Sequence, residues 1–501
     1  MSGSMEPAGR VLIPGRVALA AFVGHFACAL AVSLRHPGLV YEPDRVANWL
    51  YFHALRTGAP RLADFWYFPA PKVTAVVLLG PLADGPLEGV VVAAVAGLLG
   101  AALAWLAARS FGAAAGVGTA LLVPLDPLWT ILVATASADL LVAAGVAGAV
   151  AAWVAERPRL AGVALLLATA VKAPAAAAAL PLVLTPGTSL RARAWPVIGA
   201  AAGFVATLGG YVLLLGSTQA PFGFLAAYTE MRGTAPPPLV GWLARWAATD
   251  LFGEMLRWSW PLALVGLGAT LVARDAWPMR LWSAAALAVG AAFVALAVAT
   301  DTLLFARFLW AIELCVVAWC AIGAAVVGRV SARRLLAGRG LAQSHEERGA
   351  LVAPAATALL LLVAAISLWR GAGGSSEHYA VLFEAGARTA LPWLERAAPD
   401  VRPAQRVLVP LWFQPAAMWL LRDADVAAAE VEVARPREQG GAADWLLLAP
   451  AYYETRAAAA WSTEATRAGY DVVATSTLPR MALLRRSGAS TSQDPVADAR
   501  P

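Results

Sequence analysis

The sequence predicts a mainly α-helical polytopic membrane protein of about eleven transmembrane helices, followed by a small α/β domain. Three observations predict this. The 501 residues are 60% hydrophobic and only 14% charged, with a mean hydropathy of +0.66, too apolar for a soluble globular chain of this length. Long apolar stretches recur from residue 17 to residue 369, and several exceed the roughly 18–20 residues needed to span the hydrocarbon core. After residue 370, short apolar and β-branched runs alternate with segments of helical periodicity.

Residues 1–16 form a cytoplasmic N-terminus carrying Arg10 and Arg16. The apolar run that follows has the outline of a secretory signal. With so many spans behind it, it reads as an uncleaved first helix. Spans are expected near 17–34, 87–108, 113–124, 139–155, 160–171, 173–185, 195–216, 258–273, 281–299, 306–328 and 350–369. With the N-terminus inside, arginines mark every inner loop: Arg109, Arg157 and Arg159, Arg191 and Arg193, Arg274 and Arg280, then Arg329 to Arg348. That alternation is the positive-inside pattern of a multi-pass protein of a bacterial inner membrane. It also accounts for the net charge of +6 without any nucleic-acid partner. Cys28, Cys315 and Cys320 lie in apolar segments with no metal-ligand spacing.

This topology makes 17–369 a transmembrane domain with outer loops at 35–85 and 217–257. Residues 370–486 become an α/β domain on the outer side, and 487–501 a polar tail. Trp49, Trp66, Trp242, Trp246, Trp258 and Trp260 then fall near the outer interface. There they read as bilayer anchors, with one or two able to stack on a sugar. "LAGVALLLATAVKAPAAAAALPLVLTP" lies between two inner loops, so it must rise and return. Each half has about 12 residues, near 18 Å, too short for a core of roughly 30 Å. Such pairs occur where their tips are buried in protein or line a wet cavity.

Ionisable groups at this depth need a partner or a task. Glu42 and Asp44 form an E-x-D in the first outer loop. They read either as a solvated loop or as a carboxylate that deprotonates a hydroxyl while its neighbour orients it or holds a cation. Asp64 and Lys72 flank "FWYFPAP", and Lys72 reads as a snorkelling lysine or as a contact to a substrate phosphate. Asp139 opens a span, where it meets the helix dipole or faces a cavity. Lys172 stands at the tip of the short hairpin, where an ammonium calls for water or an anion. Arg307, near Asp301, has the fork that engages phosphate oxygens. Of 38 basic residues only Lys72 and Lys172 are lysine, which singles them out.

"RLAGVALLLATAVKAPAAAAALPLVL", "WYFPAPKVTAVVLLGPL" and "ARFLWAIE", in this order and on these sides, resemble the GT-C superfamily. The closest resemblance is to bacterial proteins of the dolichyl-phosphate-mannose–protein mannosyltransferase type and to aminoarabinose transferases. The sequence departs from that pattern where Pro43 separates the two acids, Phe68 replaces a histidine and Ala70 splits two prolines. The resemblance implies a GT-C-like arrangement and an inverting transfer from a polyprenyl-phosphate sugar to a protein, lipid or glycan acceptor. Asp44, helped by Glu42, would act as base; Lys172 and Arg307, with Lys72, would hold the lipid phosphate. Asp139 and Asp64 would complete the substrate site. No cofactor follows from these motifs; the one candidate is a divalent cation, Mg or Mn, at Glu42 and Asp44. The alternative is a transporter, lipid flippase or polysaccharide polymerase handling lipid-linked glycans. The absence of two matching halves and the outer α/β domain favour an enzyme.

Overall fold

The computed structural model describes residues 9–35, 43–57, 72–83, 86–215, 256, 258–299, 309–337 and 352–368. In the C-terminal part it describes 405–410, 417–419, 421, 425–429, 443–448, 469–475 and 482–487. The chain divides into two compact units. One is Met1–Ala63 with Pro69–Val381, and the other Asp64–Phe68 with Leu382–Pro501.

The described part of the first unit is helical. Its elements are α1 (Gly9–Arg35), α2 (Pro43–Thr57), α3 (Val73–Leu79), α4 (Pro86–Phe111), α5 (Ala113–Leu122), α6 (Pro127–Ala134) and α7 (Ala138–Val154). They continue with α8 (Pro158–Thr169), α9 (Ala179–Val183), α10 (Leu190–Leu215), α11 (Trp260–Val272), α12 (Trp277–Ala299), α13 (Trp310–Ala337) and α14 (Val352–Leu368). Among the described residues, four stretches are long and apolar enough to cross a membrane: Ile13–Leu34, Pro86–Phe111, Arg274–Leu296 and Trp310–Arg334. The chain is a multi-pass membrane protein.

The expected span 113–124 is the first arm of a bent pair. Pro124 lies in a 3₁₀ turn over Val123–Leu125, and α6 leaves at 63° to α5. Proline removes a donor and cannot continue the ladder, and Asp126 restarts it by accepting from Leu128 N at 3.3 Å. The expected span 173–185 differs more. Ala173–Ala178 is a 3₁₀ helix, and α9 adds only five residues.

Helix α4 is the hub. It packs on α1, α5, α7 and α12, and Leu99, Leu103 and Leu106 are fully buried along it. α7 contributes Val142, Val146 and Val150 at four-residue spacing, one face of a helix. His25 ties α1 to α5 and α6. Its Nε2 donates to the Ala120 carbonyl at 2.9 Å, and its ring meets Trp129 edge-on at 5.7 Å.

The second unit holds a five-stranded mixed sheet. Its strands are β1 (Arg406–Pro410), β2 (Asp425–Ala429), β3 (Trp445–Leu448), β4 (Tyr470–Thr475) and β5 (Ala482–Arg486), in the order β2-β1-β3-β5-β4. β1 is parallel to β2 and β3, and β5 is antiparallel to β3 and β4. Val407 and Val409 are buried at the two-residue strand period. The second strand overlaps the β-branched run "AAEVEV" at residues 428–433. It starts earlier, with Asp425 opposite Arg406, because partner register rather than side-chain propensity sets a strand's limits. Most of the helical segments read between the strands lie outside the described residues.

Candidate functional site

The site begins at the tip of the short paired helices. α8 ends at Thr169, and Lys172 follows three residues later in an extended conformation. The return starts as a 3₁₀ helix, Ala173–Ala178, with Pro174 in its first turn, where the missing N–H leaves no helical bond unmade. This leaves the Lys172 side chain at the mouth of the hairpin. Its Nζ donates to Asp139 Oδ1 at 2.5 Å, with Asp139 fully buried and the lysine side chain 13% exposed. The ammonium also lies 5.8 Å from the centre of the Phe293 ring on α12, where the ring's negative face attracts a cation.

Asp139 is held from its own side. Ser137 caps α7, its Oγ accepting from Asp139 N at 3.2 Å and donating to Asp139 Oδ2 at 3.3 Å. The carboxylate therefore sits in the first turn of α7, where the dipole favours negative charge. Asp139 thus meets the helix dipole, as the sequence allowed, and its carboxylate is turned to the Lys172 ammonium. The anion that Lys172 called for is supplied by the protein itself, from a helix 33 residues upstream.

Lys72 lies at the N-terminal end of α3 and is 6% exposed. Thr74 Oγ1 donates to the Leu167 carbonyl at 2.9 Å. That bond brings the start of α3 to the last turn of α8, the arm leading to Lys172. The two lysines of the chain thus belong to elements joined at one end of the helical unit.

α2 is fixed by a second buried cluster, which sequence reasoning missed. Arg45 donates to Glu88 Oε2 at 2.8 Å, and Trp49 Nε1 donates to Glu88 Oε1 at 3.1 Å. The Arg45 guanidinium also stacks 5.5 Å from the Trp49 ring centre. Trp49, expected as a bilayer anchor, is fully buried. Glu88 lies in the first turn of α4, so a signal was present: an acid just inside an expected span needs a partner. One turn further along, α2 rests on Gly80, where a Cβ would strike Phe52 and come within 3.1 Å of the Asn48 carbonyl.

Asp44 immediately precedes Arg45 in the first turn of α2, so its backbone is set by this cluster. Its side chain lies outside the described residues, as do Glu42, Asp64 and Arg307 and the outer loop 217–255. The candidate cation site at Glu42 and Asp44 falls there too. Among the described residues no three His, Cys, Asp or Glu side chains gather as metal ligands. Of the sequence-derived site residues, the structure joins Lys172 to Asp139 and brings the helix of Lys72 to the same hairpin.

No protein-family profile and no curated protein matches the sequence. Solved structures do. ArnT from Cupriavidus metallidurans bound to undecaprenyl phosphate superposes with a TM-score of 0.54 at 14% identity, over 97% of this chain and 99% of that one. The oligosaccharyltransferase of Archaeoglobus fulgidus in its apo form gives a TM-score of 0.49 at 12% identity, over 86% of this chain and 69% of that one. The first match shows that this chain shares the fold of that protein over 97% of its length.

Proposed function

We propose that this protein transfers a sugar from a polyprenyl-phosphate donor to an acceptor on the outer face of a bacterial inner membrane, with inversion at the anomeric carbon. The observation that carries the reading is the Asp139–Lys172 pair: a buried carboxylate holding an ammonium at the mouth of short paired helices, in a chain with the GT-C fold. An ammonium is a compact charge with three rotatable donors, able to keep its bond to Asp139 while meeting a phosphate. ArnT from Cupriavidus metallidurans, which shares the fold, has been crystallised with undecaprenyl phosphate, a lipid phosphate of the kind this pair would meet.

In this reading Asp44 takes the proton of the acceptor hydroxyl. The oxygen attacks the anomeric carbon from the face opposite the phosphate. The carbon–oxygen bond to phosphate breaks, its electron pair leaves with the polyprenyl phosphate, and the configuration inverts. Lys172 and Arg307, with Lys72, carry the charge of the leaving group, and Asp64 contacts the substrate. Preorganised cations in a water-poor site stabilise developing charge by several kcal/mol. Any divalent cation would be held by Glu42 and Asp44, and no step above is routed through it.

The test uses purified protein and a panel of synthetic undecaprenyl-phosphate sugars, with release of undecaprenyl phosphate as the readout. Asp44→Asn should lower turnover by about 10²–10⁴-fold, the usual contribution of a positioned general base. Turnover unchanged in Asp44→Asn would remove the central assignment. Comparing envelope glycans and glycoproteins with and without the gene, by mass spectrometry, would identify sugar and acceptor.

A further inference from the structure

At the opposite end of α7 from Asp139 lies a second cavity that the transfer reaction does not use. The 17 residues of α7 carry the chain about 24 Å at 1.5 Å per residue. The cavity encloses about 520 Å³ between the α7–α8 turn and the start of α10, and Glu156, Arg157, Arg159, Ser189, Arg191 and Trp195 line it. That volume falls within the roughly 300–1,000 Å³ of small-molecule sites.

Its walls are built rather than incidental. Gly162 on α8 meets α10 so closely that a Cβ would lie 2.6 Å from the Trp195 carbonyl oxygen. The crossing sets Arg159 beside Trp195, its guanidinium 5.5 Å from the ring centre. Ser189 Oγ accepts from Ala192 N at 3.3 Å and caps α10, so α8 and α10 both begin at the cavity. Helix starts carry partial positive charge. Three arginines and one acid, Glu156, all exposed, line the cavity. None of the three arginines forms an ion pair among the described residues.

Beside this cationic cup runs an exposed apolar strip. Leu160, Val163 and Leu167 fall on one face of α8 and are 51%, 52% and 44% exposed. A soluble phosphate would use the cup alone; a phospholipid would use the cup for its headgroup and the strip for its chains. We infer that this cavity binds the phosphate headgroup of an anionic phospholipid from the leaflet that the inner-loop arginines face. Basic pockets between helices on the cytoplasmic side are suited to such headgroups.

The full chain is placed in nanodiscs of phosphatidylcholine with a minority of phosphatidylglycerol, and retained phosphatidylglycerol is counted by native mass spectrometry. Each arginine near an anionic headgroup contributes roughly fivefold. Arg157→Gln/Arg191→Gln should therefore weaken retention about 25-fold. Arg333→Gln/Arg334→Gln, which removes two exposed arginines elsewhere on the same side, should weaken it less than about twofold. Equal loss in the two pairs would reduce the effect to general surface charge and overturn the site. Glu156→Gln, which removes the one opposing charge and tests the site even if the double variant does not fold, should strengthen retention by up to about fivefold. Unchanged or weaker retention in that variant would also overturn it. If inorganic phosphate in pure phosphatidylcholine nanodiscs raises the melting temperature as much as phosphatidylglycerol does, the ligand is a soluble phosphate and the lipid assignment fails.

Discussion

Two buried ion pairs stand in the described helical unit, and they are built differently. In Arg45–Glu88 both carboxylate oxygens are engaged, one by the guanidinium and one by Trp49, and the arginine side chain is 10% exposed. The planar fork stacks on the indole, so all three groups have one mutual arrangement. In Asp139–Lys172 the lysine reaches a single carboxylate oxygen, and Ser137 takes the other. A flexible stem and a compact ammonium can keep such a contact while meeting a second anion. The first arrangement is a clamp between α2 and α4. The second holds a charge at the mouth of a hairpin. The comparison separates architecture from chemistry more clearly than charge or burial does, since Glu88 and Asp139 are equally buried.

The largest effect should come from breaking the clamp. Glu88→Gln removes the carboxylate that engages both Arg45 and Trp49, and losing one partner of a buried ion pair costs about 3–5 kcal/mol. Unfolding followed by denaturant titration in detergent should show that loss, with transfer activity falling in proportion to folded protein. A loss below about 1 kcal/mol would mean that the pair is hydrated and does not fix α2.

The hairpin pair should behave otherwise. Lys172→Met and Asp139→Asn should each destabilise the protein. The double variant should recover part of that, with a coupling of about 0.5–3 kcal/mol for groups in contact. Transfer should not recover: with Lys172 gone, turnover should stay down by at least about 10²-fold, the scale of one lost charge-stabilising group. Recovery of turnover together with stability would assign Lys172 to architecture, alongside Arg45.

What the sequence made legible follows the same division. The apolar helical unit, the short paired helices and the need of Lys172 for a counter-charge were readable because length and charge rules act locally along the chain. Asp139 was readable as a candidate, but not as the partner of Lys172, because the contact spans 33 residues and depends on how α7 and α8 cross. The clamp was missed although its residues were in plain sight. Arg45 adjoins Asp44, and Glu88 opens an expected span, but nothing in spacing pairs residues 43 positions apart. The return after Lys172 was expected as one span over 173–185, and nothing in its alanine-rich run distinguishes a 3₁₀ helix from an α-helix.

The smallest test sharpens the clamp itself. Trp49→Phe keeps an aromatic face for Arg45 but removes the Nε1 donor to Glu88. Hydrogen bonds between helices in membranes contribute about 0.6 kcal/mol on average and up to about 1.7, so the stability loss should fall in that range. Asp44 rides on the first turn of α2, and a looser α2 misplaces it without unfolding the chain. Turnover should then fall several-fold in protein that is still folded, because small displacements of a reacting group are enough to slow transfer. The apparent KM for the polyprenyl-phosphate sugar should change little, since Lys172 is held by Asp139 at the start of α7. A change in KM with turnover preserved would place donor binding on α2 and make the clamp part of the donor site.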